Sequence, residues 1–416
     1  MTTATPSHAT AGPARPGQRP GPLAGIRIVE LSTMITASSA GMLLADMGAD
    51  VVKVENPGGG DPFRSFGPSK DYSAHFCSYN RNKRGVALDL RSPDGRHALE
   101  ALLARADVLL ENFRPGVLDR LGFPTARLRE INPRLIHCSI TGFGPDGPYV
   151  DRPAYDAVSQ ALSGMSSLFV DPANPRITGP TIADNVTGTY AATGIAAALL
   201  ERERTGHVRR VEINMLDSTL AFMPDPFSYH DFLGLVSDPY LRARNSQSYA
   251  YICGDEQLLC VHLSSQPQFW EAFIKAMDLQ DFAQDPRVAT RMSRIEHYDL
   301  IAETAGRLFK QKPRAHWMTL LAAADVPMAP ILDVTQTPDD SQVKHLGTFQ
   351  TLEHPVRGKV RTIMRPIWLD GSRTDQPMRP PPLLGEHTDE VLADLGLEPL
   401  VSSPLVGEVA HSAGGG

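Results

Sequence analysis

Apolar and polar positions along the first third of the chain alternate between two textures. "GIRIVELS" (25–32) is a short, mostly apolar run and fits a strand. "ASSAGMLLADMGA" (37–49) follows with helical spacing, and "DVVKVE" (50–55) fits a buried strand. Together they make one βαβ unit. The pattern resumes with a strand at "RGVALDL" (84–90) and a helix at "SPDGRHALEALLARA" (92–106), where Ser92 suits the N-cap. Two more strands follow at "DVLLENF" (107–113) and "RLIHCSITGFG" (134–144). Strands alternating with helices predict an α/β fold with a doubly wound, mostly parallel sheet.

After residue 206 the texture changes. "RRVEINML" is strand-like, and 217–248 reads as irregular and polar. "AYICGDEQLLCVHL" (250–263) predicts a hairpin turning at Gly254-Asp255. Helical spacing then covers 267–278, 294–311 and 313–324, so residues 225–330 read as a second, smaller α+β domain. From about 355 the chain is Pro-rich and extended until a terminal helix in "LLGEHTDEVLADLG" (383–396). The ends, 1–21 and 402–416, are rich in small residues and read as flexible tails; the first lacks the apolar segment of a secretory signal.

Composition narrows the function classes. A chain of 416 residues has room for two domains with real cores. A net charge of −7 argues against a nucleic-acid partner. The absence of any run of about 18 uncharged apolar residues argues against a membrane span. Cys77, Cys138, Cys253 and Cys260 form no CxxC pair and no cluster with metal-site spacing. They read as reduced thiols of a cytoplasmic protein, with no metal site.

Several motifs invite chemistry and then withhold it. Glu55 stands where a Rossmann dehydrogenase carries its ribose acid, but the turn "STMITASSAG" lacks the glycines that would admit a pyrophosphate. "GFGPDG" (142–147) matches GxGxxG, yet prolines follow it and no amphipathic helix does; a tight loop near some ligand stays open. "NPGGGDPFR" (56–64) reads as a flexible loop without the Lys-Ser/Thr of a phosphate loop. "NRNKRG" (80–85) is either a solvated charge run or an anion-binding cluster. His137 reads as structural, and no serine elbow is present.

Carboxylates remain. In "TGPTIADNVTGTYAATGIAAALLERERTG" (178–206) one acid, Asp184, precedes an alanine-rich helix. Such an acid is usually an N-cap. It is also a nucleophile that needs no general base, since an unperturbed carboxyl of pKa about 3.9 is ionised at neutral pH. A strand-to-helix turn would place it near backbone N–H groups able to hold an oxyanion. The residues alone leave both readings open.

A set of longer stretches changes the balance: "GMLLADMGADVVKVE" (41–55), "NRNKRGVALDL" (80–90), "ADVLLENFRPGVLDRLGF" (106–123), "SITGFGPDGPY" (139–149), "AYDAVSQALSG" (154–164), "IADNVTGTYAATGIAAAL" (182–199) and "LLGEHTDEV" (383–391). In these the chain resembles the family III CoA-transferases over about 22–397. The resemblance implies CoA transfer from an acyl-CoA to a small free carboxylic acid, with acyl-CoA as substrate and no tightly bound cofactor. It implies that Asp184 is the nucleophile, passing through an acyl-aspartyl anhydride and an aspartyl-CoA thioester. Matched positions imply CoA contacts at Thr33, Met34, Ile35 and Thr36 after the first strand. Leu88 falls on the adenine side, Asn112 and Phe113 in the cleft, and Arg120 and Leu121 at the nucleotide end. Thr141 and Phe143 fall near the reactive end and Met215 on the pantetheine channel. It also implies a Rossmann-like large domain built from 22–224 and, after a linker, 331–401, in an interlocked homodimer.

The chain departs from the family at named places. "ITAS" (35–38) stands where many relatives read "LAGP", and Ile35 replaces a glutamine of formyl-CoA transferase. "RARNSQSYAY" (242–251) lacks the glycine run that closes over the nucleophile there. Formate and oxalate are therefore doubtful substrates, and Ile35 and Phe143 suggest a less polar acyl group. The same fold hosts 2-methylacyl-CoA racemases, which use a histidine where this chain has Ala154-Tyr155-Asp156. Without it, α-proton transfer lacks one partner.

Overall fold

The computed structural model describes residues 21–67, 72–263 and 266–400. The expected tails lie outside these residues, apart from Gly21. The chain divides into two compact units. The larger holds the described residues of Met1–Ser163 and Phe349–Gly416 together with Pro180–Phe222; the smaller holds Gly164–Gly179 and Met223–Thr348.

Six parallel strands form the larger unit's sheet: β1 (Arg27–Leu31), β2 (Asp50–Glu55), β3 (Lys83–Ala87), β4 (Val108–Glu111), β5 (Ile136–Thr141) and β6 (Arg210–Asn214). Their order is β3-β2-β1-β4-β5-β6. Apolar runs such as Val51-Val52 and Val108-Leu109-Leu110 suit strands covered on both faces. One face packs on Leu99, Leu102 and Leu103 of the helix Pro93–Ala104, which Ser92 caps by accepting the Gly95 N–H at 3.0 Å. The other packs on the helices Thr36–Ala45 and Ala183–Thr205.

Those two helices cross closely because Gly188 has no side chain. A Cβ there would lie 1.9 Å from the Ser39 hydroxyl and 2.7 Å from the Thr36 carbonyl. At the far edge, the chain's return segment covers β3. His387 N–H donates to the Gly85 carbonyl, Thr388 Oγ1 accepts the Ala87 N–H, and Val391, Leu392 and Leu395 enter the core. That protects an edge otherwise open to pairing.

The smaller unit is built on an antiparallel sheet of β7 (Ser248–Ile252), β8 (Leu258–His262) and β9 (Met328–Pro330). Alternate residues Tyr249 and Tyr251 face its core, where Tyr251 stacks on Phe309 at 4.2 Å. Two stretches differ from the sequence pattern. Residues 217–248 read as irregular, but they contribute to the helices Met215–Phe222, Pro224–Leu233 and Leu241–Asn245. Polar and exposed apolar residues mix on these helices, and Pro224–Leu233 buries none of its residues, so no amphipathic stripe marks it. Where the Pro-rich segment begins, the chain forms a hairpin, β10 (Phe349–His354) with β11 (Gly358–Ile363), closed by the turn before Gly358 at φ 67°.

Candidate active site

In a parallel sheet all loops after the strands emerge at one edge, and ligands bind where the chain order reverses. Here the reversal lies between β1 and β4. Asn112, just after β4, bridges it. Its Oδ1 accepts the Thr33 N–H at 3.0 Å, and its Nδ2 donates to the Thr33 carbonyl at 2.8 Å and to Thr36 Oγ1 at 3.0 Å. Three resemblance-implied positions thus form one clasp. Met34 between them has φ 62°, a left-handed conformation rare outside glycine. Its N–H donates to Asp61 Oδ1 at 3.1 Å. Ile35 begins the helix and is buried against Phe63 and Phe76.

Asp184 is the second residue of the helix Ala183–Thr205. The N-cap is Ile182, whose φ and ψ are already helical, so Asp184 is not the cap. The preceding segment is irregular rather than a strand, so the expected strand-to-helix turn is absent. Among the described residues, nothing donates to the Asp184 carboxylate. Its own N–H donates to Asp156 Oδ1 at 3.2 Å, and Asp156 Oδ2 accepts from Gln160 at 2.5 Å. Gln160 also donates to the Pro180 carbonyl at 3.2 Å, tying Asp156 to the entry of the Asp184 helix. Next to Asp184, Asn185 donates to the Tyr79 hydroxyl at 3.1 Å.

Burial, then the charge of Asp156, pushes the Asp184 carboxyl up to about 7. The carboxyl is therefore partly protonated at neutral pH, not fully ionised as an unperturbed aspartate would be. Gly188 lies one helical turn after Asp184, on the same face. Since Gly188 touches Thr36 and Ser39, that face of the helix is turned to the start of the Thr36–Ala45 helix. This helix end carries no side-chain cap, so its first N–H groups remain available to an oxyanion.

The remaining implied residues lie on other loops of the same edge. Leu88 is 1% exposed and belongs to the core cluster against which Phe113 and Leu121 pack, so its side chain is not open to a ligand. The Phe113 N–H donates to Glu111 Oε2 at 2.8 Å. Arg120 is exposed, with no ion-pair partner among the described residues. Thr141 Oγ1 accepts the Gly144 N–H at 3.0 Å and lines a cavity of about 140 Å³ with Ser139, Glu212 and Asn214. Phe143 meets Tyr149 edge-on at 5.7 Å. Met215 is buried at the start of the helix after β6.

Other motifs resolve into structure. "NRNKRG" is neither solvated nor open to an anion: Arg81 pairs with Asp46, Lys83 with Glu30 and Arg84 with Asp50, all three cations buried. The "NPGGGDPFR" loop is pinned rather than free, because Asp61 caps a short 3₁₀ turn and Arg64 binds both oxygens of Glu55 at 2.7 Å. Glu55 is thereby occupied. "GFGPDG" is a loop with Gly144 and Gly147 at positive φ, and the next helix starts only at Asp156. His137 is buried, with Nε2 3.2 Å from Glu111. The sequence pattern does not single out Asp156, Asp61 or the buried Glu30, Lys53 and Lys83, which the structure places around the loop 33–36 and the start of the Asp184 helix. A charge in the middle of an apolar strand, as in "IVEL" and "VVKVE", is the signal that would have marked Glu30 and Lys53; Lys83, at the start of its strand in "NRNKRG", carries no such signal.

A family model described as CoA-transferase family III matches residues 23–388. The chain belongs to CoA-transferase family III. It is 34% identical over 400 residues to the formyl-CoA:oxalate CoA-transferase of Rhodopseudomonas palustris (strain TIE-1), covering 90% of this chain and 93% of that protein. It is 33% identical over 335 residues to the acetyl-CoA:oxalate CoA-transferase of Acetobacter aceti, covering 77% and 83%. A CAIB/BAIF family protein from Brucella suis superimposes with a TM-score of 0.80 at 30% identity, covering 91% of this chain and all of that one. This CoA-transferase has a six-stranded parallel sheet and a smaller antiparallel one. Among its described residues no helix is long and apolar enough to cross a membrane, and no group of three or more His, Cys, Asp or Glu could hold a metal.

Proposed function

We propose that this transferase moves CoA from an acyl-CoA to a free carboxylic acid through covalent intermediates on Asp184. The supporting observation is the placement of that carboxylate. It is half-buried, is not spent as a helix cap, and stands one turn before the close contact between its helix and the loop 33–36. Its raised pKa suits the task. A more basic carboxylate is a better nucleophile, and at about 7 part of it is still ionised at neutral pH.

The steps balance as follows. An Asp184 oxygen attacks the thioester carbonyl, the C–S bond breaks, and CoA thiolate leaves a mixed anhydride. The thiolate attacks the Asp184 carbonyl carbon and releases the donor acid as carboxylate. The acceptor carboxylate attacks the resulting aspartyl-CoA thioester, giving a second anhydride and thiolate. The thiolate takes the acceptor acyl group and frees Asp184. No proton moves in any step, which fits a site without a paired general base. N–H groups at the start of the Thr36–Ala45 helix are the oxyanion donors in this reading.

Thr33, Met34, Ile35, Thr36, Asn112 and Phe113 form the cleft for CoA, with Thr141, Phe143 and Met215 along the pantetheine and Leu88, Arg120 and Leu121 towards the nucleotide. Ile35 and Phe143 favour an acyl group less polar than formate or oxalate. The oxalate enzymes among the relatives make oxalate the comparison acid. A panel of acyl-CoA donors and acids, scored by mass spectrometry of new CoA esters, tests this: an apolar short-chain acid accepts CoA faster than oxalate, and oxalate as the best acceptor ends the specificity reading. The functional protein in this account is a cytoplasmic homodimer. Support for a partner comes from the helix Pro224–Leu233, which buries none of its residues and leaves Phe232 85% exposed.

A further inference from the structure

A closed group of buried charges lies under the loop 33–36. Strands in the middle of a covered parallel sheet are normally apolar. Here β1, β2 and β3 each carry an ion: Glu30, Lys53 and Lys83, all 0–1% exposed. Lys83 Nζ lies 2.9 Å from Glu30 Oε2 and donates to the Ser38 carbonyl and Asn80 Oδ1, each at 2.8 Å. Lys53 Nζ lies 3.1 Å from Glu30 Oε1 and 3.1 Å from Asp61 Oδ2, and donates to Ser32 Oγ at 2.8 Å and the Ser32 carbonyl at 3.0 Å. Two cations thus meet two anions, so the buried charge is balanced.

The protein groups held by the two lysines come largely from one segment. Ser32 and Ser38 flank the loop 33–36, so the lysines grip it at both ends. Asp61 grips its middle: Oδ2 faces Lys53, while Oδ1 accepts the N–H of Met34 and of Phe63. Met34 is the left-handed residue of the loop, a conformation disfavoured for a residue with a Cβ unless its surroundings enforce it. Asp61 is itself fixed, since its N–H donates to Glu55 Oε2 at 2.9 Å.

We infer that Asp61 is a positioning residue for acyl transfer: it holds Met34 in its left-handed conformation and so sets the line of the loop 33–36 against the thioester. This rests on the reading of Asp184 and that loop as the reacting site. Asp61 touches no substrate in this account. Its loss therefore lowers the rate of chemistry more than the affinity for CoA.

The test compares wild type, Asp61→Ala, Asp61→Asn and Asp184→Ala as full-length proteins. It measures kcat and KM with the fastest donor of the panel, binding of free CoA by calorimetry, and hydrogen exchange of the peptide spanning 32–38. For Asp61→Ala we expect kcat to fall roughly 10- to 100-fold. Its KM and CoA affinity stay within about threefold, and exchange at 32–38 quickens about tenfold or more. Asp61→Asn keeps an oxygen for the Met34 N–H and recovers most of the lost kcat. A folded Asp61→Ala protein with kcat within twofold of wild type, or with unchanged exchange, overturns the inference. Should Asp61→Ala not fold, Asp61→Asn decides: native exchange with kcat within about tenfold supports it, and native exchange with a collapsed kcat overturns it. Full turnover by Asp184→Ala would instead remove the reading beneath it, while the exchange result for Asp61 would stand.

Discussion

In the proposed reaction Asp184 serves through its surroundings rather than its type. Burial and the Asp156 carboxylate both disfavour its charged form. With the ionised form as the proposed nucleophile, kcat/KM should rise with pH and level off above about 7. Asp156→Asn removes the like charge, so the acid limb of the profile moves to lower pH; an unmoved limb would separate Asp156 from the site. Stability should run the other way. The folded carboxyl titrates at about 7 and the unfolded one near 3.8, so between these values the native state binds more protons and loses stability as pH rises. Asp184→Asn should therefore stabilise the protein at pH 8 by on the order of 2–4 kcal/mol, a gain that vanishes below about pH 4. Denaturant titrations at the two pH values check it. Read from its neighbours alone this residue looked more like a cap than a nucleophile; the helical conformation of Ile182, which no side chain encodes, is what frees it.

At the scale of elements, the site is a meeting of loops that the parallel sheet delivers to one edge. The strand and helix pattern of the first third was legible because buried strands and amphipathic helices each leave a period. β2 matches its apolar run residue for residue, and Ser92 caps the helix it precedes. Contacts between elements were not legible. Nothing in "TGTYAATG" says that Gly188 seats the Asp184 helix on Thr36 and Ser39. Gly188→Ala places a methyl where backbone already lies, and should cost about 1–3 kcal/mol and slow turnover by shifting Asp184. Asn112→Ala opens the clasp across the strand reversal. With three hydrogen bonds lost, kcat/KM for the donor should fall roughly tenfold or more, while Asn112→Asp, which keeps only the acceptor for Thr33, should recover little. Steady-state kinetics on the two variants decides whether the clasp matters. The charge runs misled for the same reason: "NRNKRG" looks exposed, and only the packing reveals that Asp46, Glu30 and Asp50 consume it.

For the whole molecule, the two textures of the sequence correspond to two kinds of sheet, one parallel and one antiparallel. The helix Pro224–Leu233 was hidden because a helix that buries nothing within its own chain has no apolar stripe to read. The same fact supports a second copy as its cover. Sedimentation should give twice the chain mass, and Phe232→Asp should weaken the assembly; a monomer at micromolar concentration would contradict it.

The proposed reaction turns on a covalent bond to one carboxylate. Incubating the enzyme with an acyl-CoA donor, quenching with hydroxylamine or borohydride and mapping the digest by mass spectrometry tests it most directly. The expected result is a modification on the peptide that carries Asp184, absent without donor and absent in Asp184→Ala, which should also lose turnover. A modification on another residue, or full turnover by Asp184→Ala, would contradict it.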